Sequence, residues 1–600
     1  MNQYVEKSES GSKKFWRIVF GTMVGIFISS MLVSILSLFM MIGMIASISA
    51  GDKTTMVKEN SILKIDLPYP ISERTIENPF EELGFENFSN TGIGLNDILA
   101  SIKYAAGDEK IKGIYLNVSQ VAANPASIEE IRNALSEFKK SGKFVYAYSE
   151  VYSQSAYYLA SVADKVFINK KGDMEFKGIA LQVMFFKGLL DKLDIEMQVI
   201  RHGQFKSAVE PYILDKMSEA NREQMEVLCK SMWQNMIDNI AKSRNIPIDS
   251  LNYYADNLLP TNPDDAVNKN LVDYAVYYHA FEDSLRSLIS VKPEDKINYI
   301  SLANYKKSVK INKPKTEDKI AVIYAVGEII DGKGDDETIG SETLCKEIKK
   351  AYEDDDVKAI VLRVNSPGGS ALASEIIWNE IEMAKKAGKI VVTSMGDYAA
   401  SGGYYISCNS DAIVAQPNTL TGSIGVFGII PNVQQFLKNK LGITVDVAKS
   451  NAHSDYYTGV RKLDDIEYKK IQIMIEDIYA TFTQRVADGR KMEISKVDEI
   501  GQGRVWTGVN ALEIGLVDKI GNMDDAITLA AKMAKLDTYQ IKYYPEETDW
   551  LTKFLNKNSD DAMAQIKAEM GKLYESYDAL RKVSEMSGIQ ARMPMTFTIE

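Results

Sequence analysis

The sequence predicts an α/β protein built from two tandem homologous repeats behind an N-terminal membrane-spanning helix. Three observations predict it. The run from Ile18 to Ala50 contains no charged residue and is longer than the ~20 residues a bilayer core requires. From Ser61 onward, short apolar runs alternate with longer amphipathic stretches, the pattern of strands joined by crossover helices. Finally, segments recur at a fixed offset. KGIYLNVSQ at Lys112 matches KAIVLRVNS at Lys358, and KFVYAYSEV at Lys143 matches KIVVTSMGD at Lys389; both offsets are 246 (358 − 112 and 389 − 143).

Bulk properties bound the function. Six hundred residues exceed one hydrophobic core. A net charge of −12 and a pI near 5.2 argue against nucleic-acid binding, which needs a basic face. Three scattered cysteines give neither a disulfide framework nor a CxxC metal site. With three histidines and no HExxH, no metal or other cofactor is indicated.

Taken in order, residues 1–17 form a basic N-terminus with Lys7, Lys13, Lys14 and Arg17, and residues 18–50 form the membrane helix. The residues after the helix carry a mixed Asp52, Lys53, Lys58 and Glu59, so the positive-inside rule predicts a cytoplasmic N-terminus and everything beyond on the far side. A cleaved signal peptide would have an apolar region of only about 7–15 residues. The first repeat is expected over 56–305, with strands ILKIDL, IKGIYLNV and KFVYAYSEV. Its helix near Ser127–Lys140 starts on a capping-box pattern of Ser127 and Glu130. A polar linker with Pro314 covers 306–319, the second repeat covers 320–545, and a charged helical tail covers 546–600, with no chemistry assigned to its MPMTFTIE end. SAYYLASVADKVFIN from Ser155 lies over SGGYYISCNSDAIVAQ from Ser401, and AVNKNLVD lies over ALEIGLVD. Each repeat also carries a long amphipathic helix, Ser218–Arg244 and Leu463–Arg490, rich in core methionines and aromatics.

The chemistry concentrates in the second repeat. Ile390–Thr393 reads as a buried strand, Ala399–Gly403 as a turn and Tyr404–Ser407 as the start of a helix, which puts Ser401 of ASGG at a strand-to-helix corner suited to a nucleophile. A plain Gly/Ser turn is the bland alternative. The NSPGGS turn, Asn365–Ser370, carries Gly368 and Gly369, whose counterpart SQVAANP in the first repeat lacks the glycine pair. Such a turn can present backbone N–H groups as an oxyanion hole or be an ordinary corner. A serine needs a base. Asp397 reads as a turn residue, and His453 and Lys449 follow in the same repeat. In the first repeat Lys206 of RHGQFKSAVEPY stands 51 positions after Ser155 (206 − 155), flanked by apolar residues that could depress its pKa, or else it is a surface lysine.

The repeat, PGGS, GDYAASGGYY, TLTGSIGVFG, HGQFKSAVEPY and WTGVNALEIGLVDKIG together resemble the long, tandem-domain form of the signal peptide peptidase A family, from about Lys58 to Ala531. The resemblance implies a crotonase/Clp-protease-like fold in each repeat and a membrane-anchored serine endopeptidase with a Ser-Lys dyad. It would degrade signal-peptide remnants or similar apolar peptides, as a homotetramer at the extracytoplasmic face of the inner membrane. By motif, it implies Ser401 as nucleophile, Lys206 as general base, Ser423 of TGSIG as a hydroxyl orienting the lysine, and Gly368, Gly369 and Gly402 as oxyanion donors. Ser155 survives at the nucleophile register of the first repeat, so a Ser155/Lys206 pair stays open on sequence grounds. A non-catalytic membrane scaffold of the same fold and a crotonase-type acyl-CoA enzyme are the rival readings; cytosolic CoA sits poorly with the far-side topology.

Overall fold

A computed structural model describes residues 11–49, 57–75, 92–309, 314–335, 337–546 and 589–593. Gly11–Ser49 is one helix, and its Val19–Ser37 stretch has mean hydropathy 2.2, long and apolar enough to cross a membrane. The helix begins seven residues before the expected start, because the short polar run ahead of Ile18 carries no helix breaker other than Gly11. Both repeats lie in a separate compact unit covering 57–76 and the chain from 92 onward.

The first repeat is organised on a parallel sheet of β1 (Ser61–Ile65), β2 (Ile111–Leu116), β3 (Phe144–Tyr152), β4 (Lys165–Met174), β6 (Tyr274–Ala275) and β7 (Asn298–Ser301). Their spatial order is β6-β4-β3-β2-β1-β7. The second repeat rebuilds that order from β18 (Lys519–Ile520), β14 (Ala412–Ala415), β13 (Ile390–Ala400), β11 (Val357–Ser366), β8 (Lys319–Val326) and β19 (Gln540–Tyr544). The constant offset in sequence is thus a constant topology. Strands buried on both faces read as continuous apolar runs, and KIAVIYAV of β8 is the clearest case. Its alternate residues serve different cores: Ala321, Ile323 and Ala325 pack on one face, Ile320, Val322 and Tyr324 on the other, beneath the helix Met523–Met533.

One difference between the repeats matters for function. The first half of β13 pairs with β14 through Val392–Ser394, whereas its second half, Tyr398–Ala400, pairs with β15 (Leu420–Gly422). β15 in turn pairs antiparallel with β17 (Val505–Thr507). The strand expected to end at Thr393 therefore runs to Ala400, and the expected five-residue turn shrinks to Ser401, because β15 supplies a partner for the small residues.

The two repeats are joined by a third sheet, in the order β10-β9-β12-β20-β16-β5: β5 (Glu196–His202), β9 (Glu328–Ile330), β10 (Thr338–Gly340), β12 (Gly368–Ser370), β16 (Val426–Asn432) and β20 (Gln590–Arg592). β5 of the first repeat and β16 of the second form an antiparallel ladder from Val426↔His202 to Asn432↔Glu196. Buried charge fixes the contact further. Arg363 is enclosed between Glu73 (2.9 Å) and Glu130 (3.0 Å), both carboxylates coming from the first repeat.

The expected capping box at Ser127 is not formed. The helix spans Pro125–Lys139 behind Asn124, because a proline preset for the first helical position starts it two residues earlier. Ser127 gives its amide and hydroxyl to Asp397 (2.9 and 2.5 Å), and Glu130 turns to Arg363. Asp397 is accordingly no exposed turn residue. It is buried, and it caps a helix of the other repeat by accepting from an amide that has no partner within the helix. Burial raises its pKa against the hydrogen bonds from Ser127. The long helices fall where expected, Glu219–Arg244 behind the N-cap Ser218 and Asp465–Arg490 behind a capping box of Asp464 and Glu467. Most of the expected helical tail lies outside the described residues.

Candidate active site

Ser401 follows β13 directly and opens the helix Gly402–Ser407. Its backbone has φ 55° and ψ −113°, a region that a residue with a Cβ enters at a cost. Two hydrogen bonds hold it there. Its N–H donates to Gly422 O (2.8 Å), and its carbonyl accepts from Tyr405 N (2.8 Å). The side chain is thereby aimed away from the strand, and Ser401 is fully buried.

Lys206 arrives from the first repeat. The ladder with β16 carries β5 to His202 beside the second repeat, and the chain then turns into it. Phe205 N donates to Gln502 O (2.9 Å), Arg201 donates to Lys206 O (3.1 Å), and Gln224 Nε2 donates to Phe205 O (3.1 Å) and Ser207 Oγ (2.9 Å). The lysine side chain is 0% exposed and ends 2.8 Å from Ser401 Oγ, 3.1 Å from Ser423 Oγ and 3.2 Å from Ser423 O. Burial alone drives its pKa well below the ordinary lysine value.

The three contacts suit a neutral amine, which has one lone pair and two N–H donors. The lone pair can accept from the Ser401 hydroxyl while the two N–H groups donate to the carbonyl and hydroxyl of Ser423. Ser423 Oγ in turn donates to Gly503 O (3.3 Å), which fixes its rotor so that a lone pair faces Lys206. Ser423 is itself pinned at φ 50° by its N–H to Arg504 O (2.7 Å).

Gly368 and Gly369 begin β12, and Ser370 caps the following helix by accepting from Ala373 N (3.2 Å). Gly368 has φ 102°, and a Cβ built on it would lie 2.8 Å from Gly402 N and 3.1 Å from Ala400 O. A side chain there would therefore crowd the amide of Gly402, the residue next to Ser401. That amide stands in the first turn of its helix, where N–H groups lack intrahelical partners. The expected residues Ser401, Lys206, Ser423, Gly368, Gly369 and Gly402 are thus brought into one site.

Others are not. Ser155 lies in the helix Gln154–Ala160 and lines a separate cavity of about 330 Å³ with Asn124, Tyr158 and Met232, and the Lys206 amine is committed to Ser401 and Ser423. Lys449 pairs with Asp455 (2.7 Å), and His453 faces Asp464 (3.2 Å) and Glu467 (3.1 Å). Sequence reasoning missed Gly503, packed against the Lys206 backbone, and Gln224, which also accepts from Val505 N (3.3 Å). The paired glycines of GQGR, just ahead of the WTG motif, were the available signal for the first. It also missed Gln590–Arg592, the strand β20, in a tail read as without chemistry.

The profile of Peptidase family S49 matches residues 137–292 and again 383–537. Over 480 residues the chain is 39% identical to "Protease 4" of Salmonella typhi, covering 79% of this chain and 77% of that one. Over 583 residues it is 32% identical to "Protease 4" of Haemophilus influenzae, covering 92% and 93%. It is 30% identical over 487 residues to "Serine protease SPPA, chloroplastic" of Arabidopsis thaliana, covering 80% and 70%.

Proposed function

The chain belongs to peptidase family S49 and is a serine-type endopeptidase, and from that premise we propose that it degrades cleaved signal peptides or similar apolar peptides through a Ser401–Lys206 dyad and an acyl-enzyme. Family membership leaves neither the non-catalytic scaffold nor the acyl-CoA enzyme as a reading. The observation that carries the dyad is the buried Lys206 amine 2.8 Å from Ser401 Oγ, with three oxygens of Ser401 and Ser423 and, among the described residues, no carboxylate as hydrogen-bond partners. A carboxylate would hold the amine protonated; burial without one favours the neutral base.

The reaction follows from these positions. As Ser401 Oγ attacks the peptide carbonyl, its proton passes to Lys206 Nζ, with Ser423 keeping the amine aligned. The oxyanion is received by backbone N–H groups of the Gly368–Gly369 turn and of Gly402, Gly368 N exchanging its bond to Ser366 Oγ (3.2 Å), and such donors usually contribute the largest share of barrier lowering. Lys206 returns the proton to the leaving amine, then activates the water that hydrolyses the ester. The apolar helix Gly11–Ser49 supports membrane anchoring, and the basic residues ahead of it support a cytoplasmic N-terminus with the repeats on the extracytoplasmic side of the inner membrane. The homotetramer belongs to the same proposal and rests on the resemblance.

Hydrolysis of a fluorogenic apolar peptide by purified variants tests the assignment. Ser401→Ala and Lys206→Ala should each lose about 10²–10⁴-fold or more in kcat/KM, and Ser155→Ala should match the wild type. Retained activity in Ser401→Ala with loss in Ser155→Ala would move the site to the first repeat.

A further inference from the structure

The edge formed by Gly368–Ser370 has a counterpart in the first repeat. In the second repeat β20 pairs antiparallel with β12, Gly369 opposite Ala591, and the ladder is closed by bonds from Met593 N to Pro367 O (2.7 Å) and from Ala371 N to Ile589 O (3.3 Å). Pairs 367/593, 369/591 and 371/589 are therefore of the hydrogen-bonded kind. The offset of 246 puts Val121, Ala123 and Pro125 at the positions of Pro367, Gly369 and Ala371 (367 − 121, 369 − 123 and 371 − 125). Local structure agrees. Asn124 is the N-cap of Pro125–Lys139 as Ser370 is of Ala371–Lys386, and Ile71 N donates to Ala122 O (3.1 Å) much as Ile329 pairs beside Gly369.

The difference is the added strand. Among the described residues neither the N–H nor the C=O of the half-buried Ala123 has a hydrogen-bond partner. An extended chain laid there can exchange two bonds with Ala123, the mode by which a peptide joins a sheet edge. Pro125 has no N–H to offer, so this edge is shorter than its counterpart.

Beside the edge lies the cavity of about 330 Å³, walled by Ile128, Tyr158, Ile179, Met232 and Met236. A cavity of roughly 150 Å³ holds a benzene ring, so this one takes a large apolar side chain with some backbone. Its lining also includes Asn418 of the second repeat, which is 5% exposed. Asn418 Nδ2 donates to Glu129 Oε2 (2.9 Å), and Oδ1 has no partner among the described residues. That oxygen only accepts, so an occupant has to bring an N–H or O–H donor along with apolar bulk. A peptide brings both.

The cavity adjoins the catalytic slot. Met232 packs in one cluster with Leu228 and with Ala400, the residue before Ser401. Asn124 Oδ1 accepts from Tyr398 Oη (3.3 Å), three positions ahead of Ser401 (401 − 398). From Leu228 to Met236 the helix rises about 12 Å, the length of roughly four extended residues.

We propose that the Val121–Asn124 edge and its cavity form a second, non-catalytic peptide site. An extended apolar chain adds a strand at Ala123, seats an apolar side chain among Ile128, Tyr158 and Met236, and donates an N–H to Asn418 Oδ1. Nothing is cleaved there, because the Lys206 amine is engaged with Ser401 and Ser423. The inference rests on the reading of apolar peptides as substrates, and it makes the enzyme select for length: a substrate long enough to leave the catalytic slot gains the second site.

Two measurements on the full-length protein in detergent test it. In the first, an apolar peptide of about 20 residues, a signal-peptide length, carries a photoreactive phenylalanine and is irradiated with Ser401→Ala, and the labelled residues are read by mass spectrometry. Ile128, Met232 or Met236 should be labelled in addition to the catalytic slot, and adding Ser155→Trp, which fills the cavity, should remove that labelling alone. In the second, Ala123→Pro, which deletes the edge N–H, and Ser155→Trp should each raise KM for the long peptide about tenfold through lost hydrogen bonding or lost side-chain burial, while kcat/KM for a short peptide that only the catalytic slot holds stays at the wild-type level. Labelling confined to the catalytic slot overturns the inference, whether the cavity is then empty, filled by residues 594–600 or covered by a second copy of the chain. An unchanged KM for the long peptide in both variants, or an equal loss on the short one, also overturns it. Those results leave the proposed function standing as long as the wild type hydrolyses both peptides; a wild type that hydrolyses neither removes the reading beneath.

Discussion

Replacing Gly503 by alanine tests whether the site depends on where the lysine backbone is held. A Cβ at 503 would lie 2.6 Å from both the N and Cβ atoms of Lys206 and 2.7 Å from its Cα. Carbon atoms normally approach to about 3.5–4.0 Å, so Lys206 has to yield by about 1 Å. Gly425 packs against both residues, since a Cβ there would meet Lys206 Cδ at 3.2 Å and Gly503 Cα at 2.8 Å, which leaves little slack around the contact. A shift of that size takes the 2.8 Å Nζ–Oγ contact to roughly 3.8 Å, outside hydrogen-bond reach. A misplacement of about 1 Å costs on the order of 10²-fold in rate, so kcat/KM should fall about a hundredfold. Backbone strain is separable from displacement. Gly503 and Gly142 both have φ 81°, but a Cβ on Gly142 meets nothing within 4 Å. Gly142→Ala should therefore cost about 1–2 kcal/mol of stability from the left-handed backbone and leave the rate unchanged. The assay is peptide hydrolysis with denaturant unfolding of both variants. Gly503→Ala activity within threefold of wild type, or an equal rate loss in Gly142→Ala, would refute the reasoning.

The remaining predictions concern charge. Because burial lowers the Lys206 pKa, kcat/KM should rise with pH through a midpoint well below the lysine reference of ~10.4, and a midpoint at the reference value would sink the neutral-base argument. The same shift sets a stability trend: above the folded pKa the unfolded chain binds one more proton than the native one, so native stability rises with pH up to the unfolded pKa. Lys206→Met, measured by denaturant unfolding, should thus be more stable than wild type at pH 7, with the gap closing towards pH 10. Arg363→Met strands Glu73 and Glu130 in the contact between repeats and should destabilise by about 3–5 kcal/mol, with much of it recovered when both glutamates become glutamine.

The repeat was legible because the helix between its matched strands conserves its length, so a fixed offset in sequence becomes a fixed place in space; the order of the strands within each sheet was not. Ser401 was legible for a local reason: its small neighbours at a strand end announce a sharp corner. The proposed base was not legible locally. Nothing within the second repeat marks Lys206, whose position depends on a ladder between β5 and β16 that no periodicity reveals, and only motif resemblance reached it. Ser127 and Asp397 show the same limit from another side. A capping box and a turn aspartate are sound local readings, yet each residue's partner comes from the other repeat, and burial made that contact the better one. β20 was hidden for a third reason, because a short segment after a long charged stretch has no pattern of its own until a sheet edge accepts it.

These non-local contacts share one physical consequence. Lysine desolvation requires that the first repeat deliver the amine and that the second close around it, with Gly425, Gly503 and Ser423 forming the walls. Neither repeat alone can lower the pKa, since an amine left in water keeps its proton. On the proposed mechanism, the Ser401 hydroxyl meets its base only where the two repeats are joined, by the β5–β16 ladder, the Arg363 cluster and the Asp397 cap. The proposed dyad thus needs both copies of the fold, one to supply Ser401 and the other Lys206. In the first copy the register serine, Ser155, faces a cavity of its own, while Lys206 of the same copy hydrogen-bonds across to Ser401.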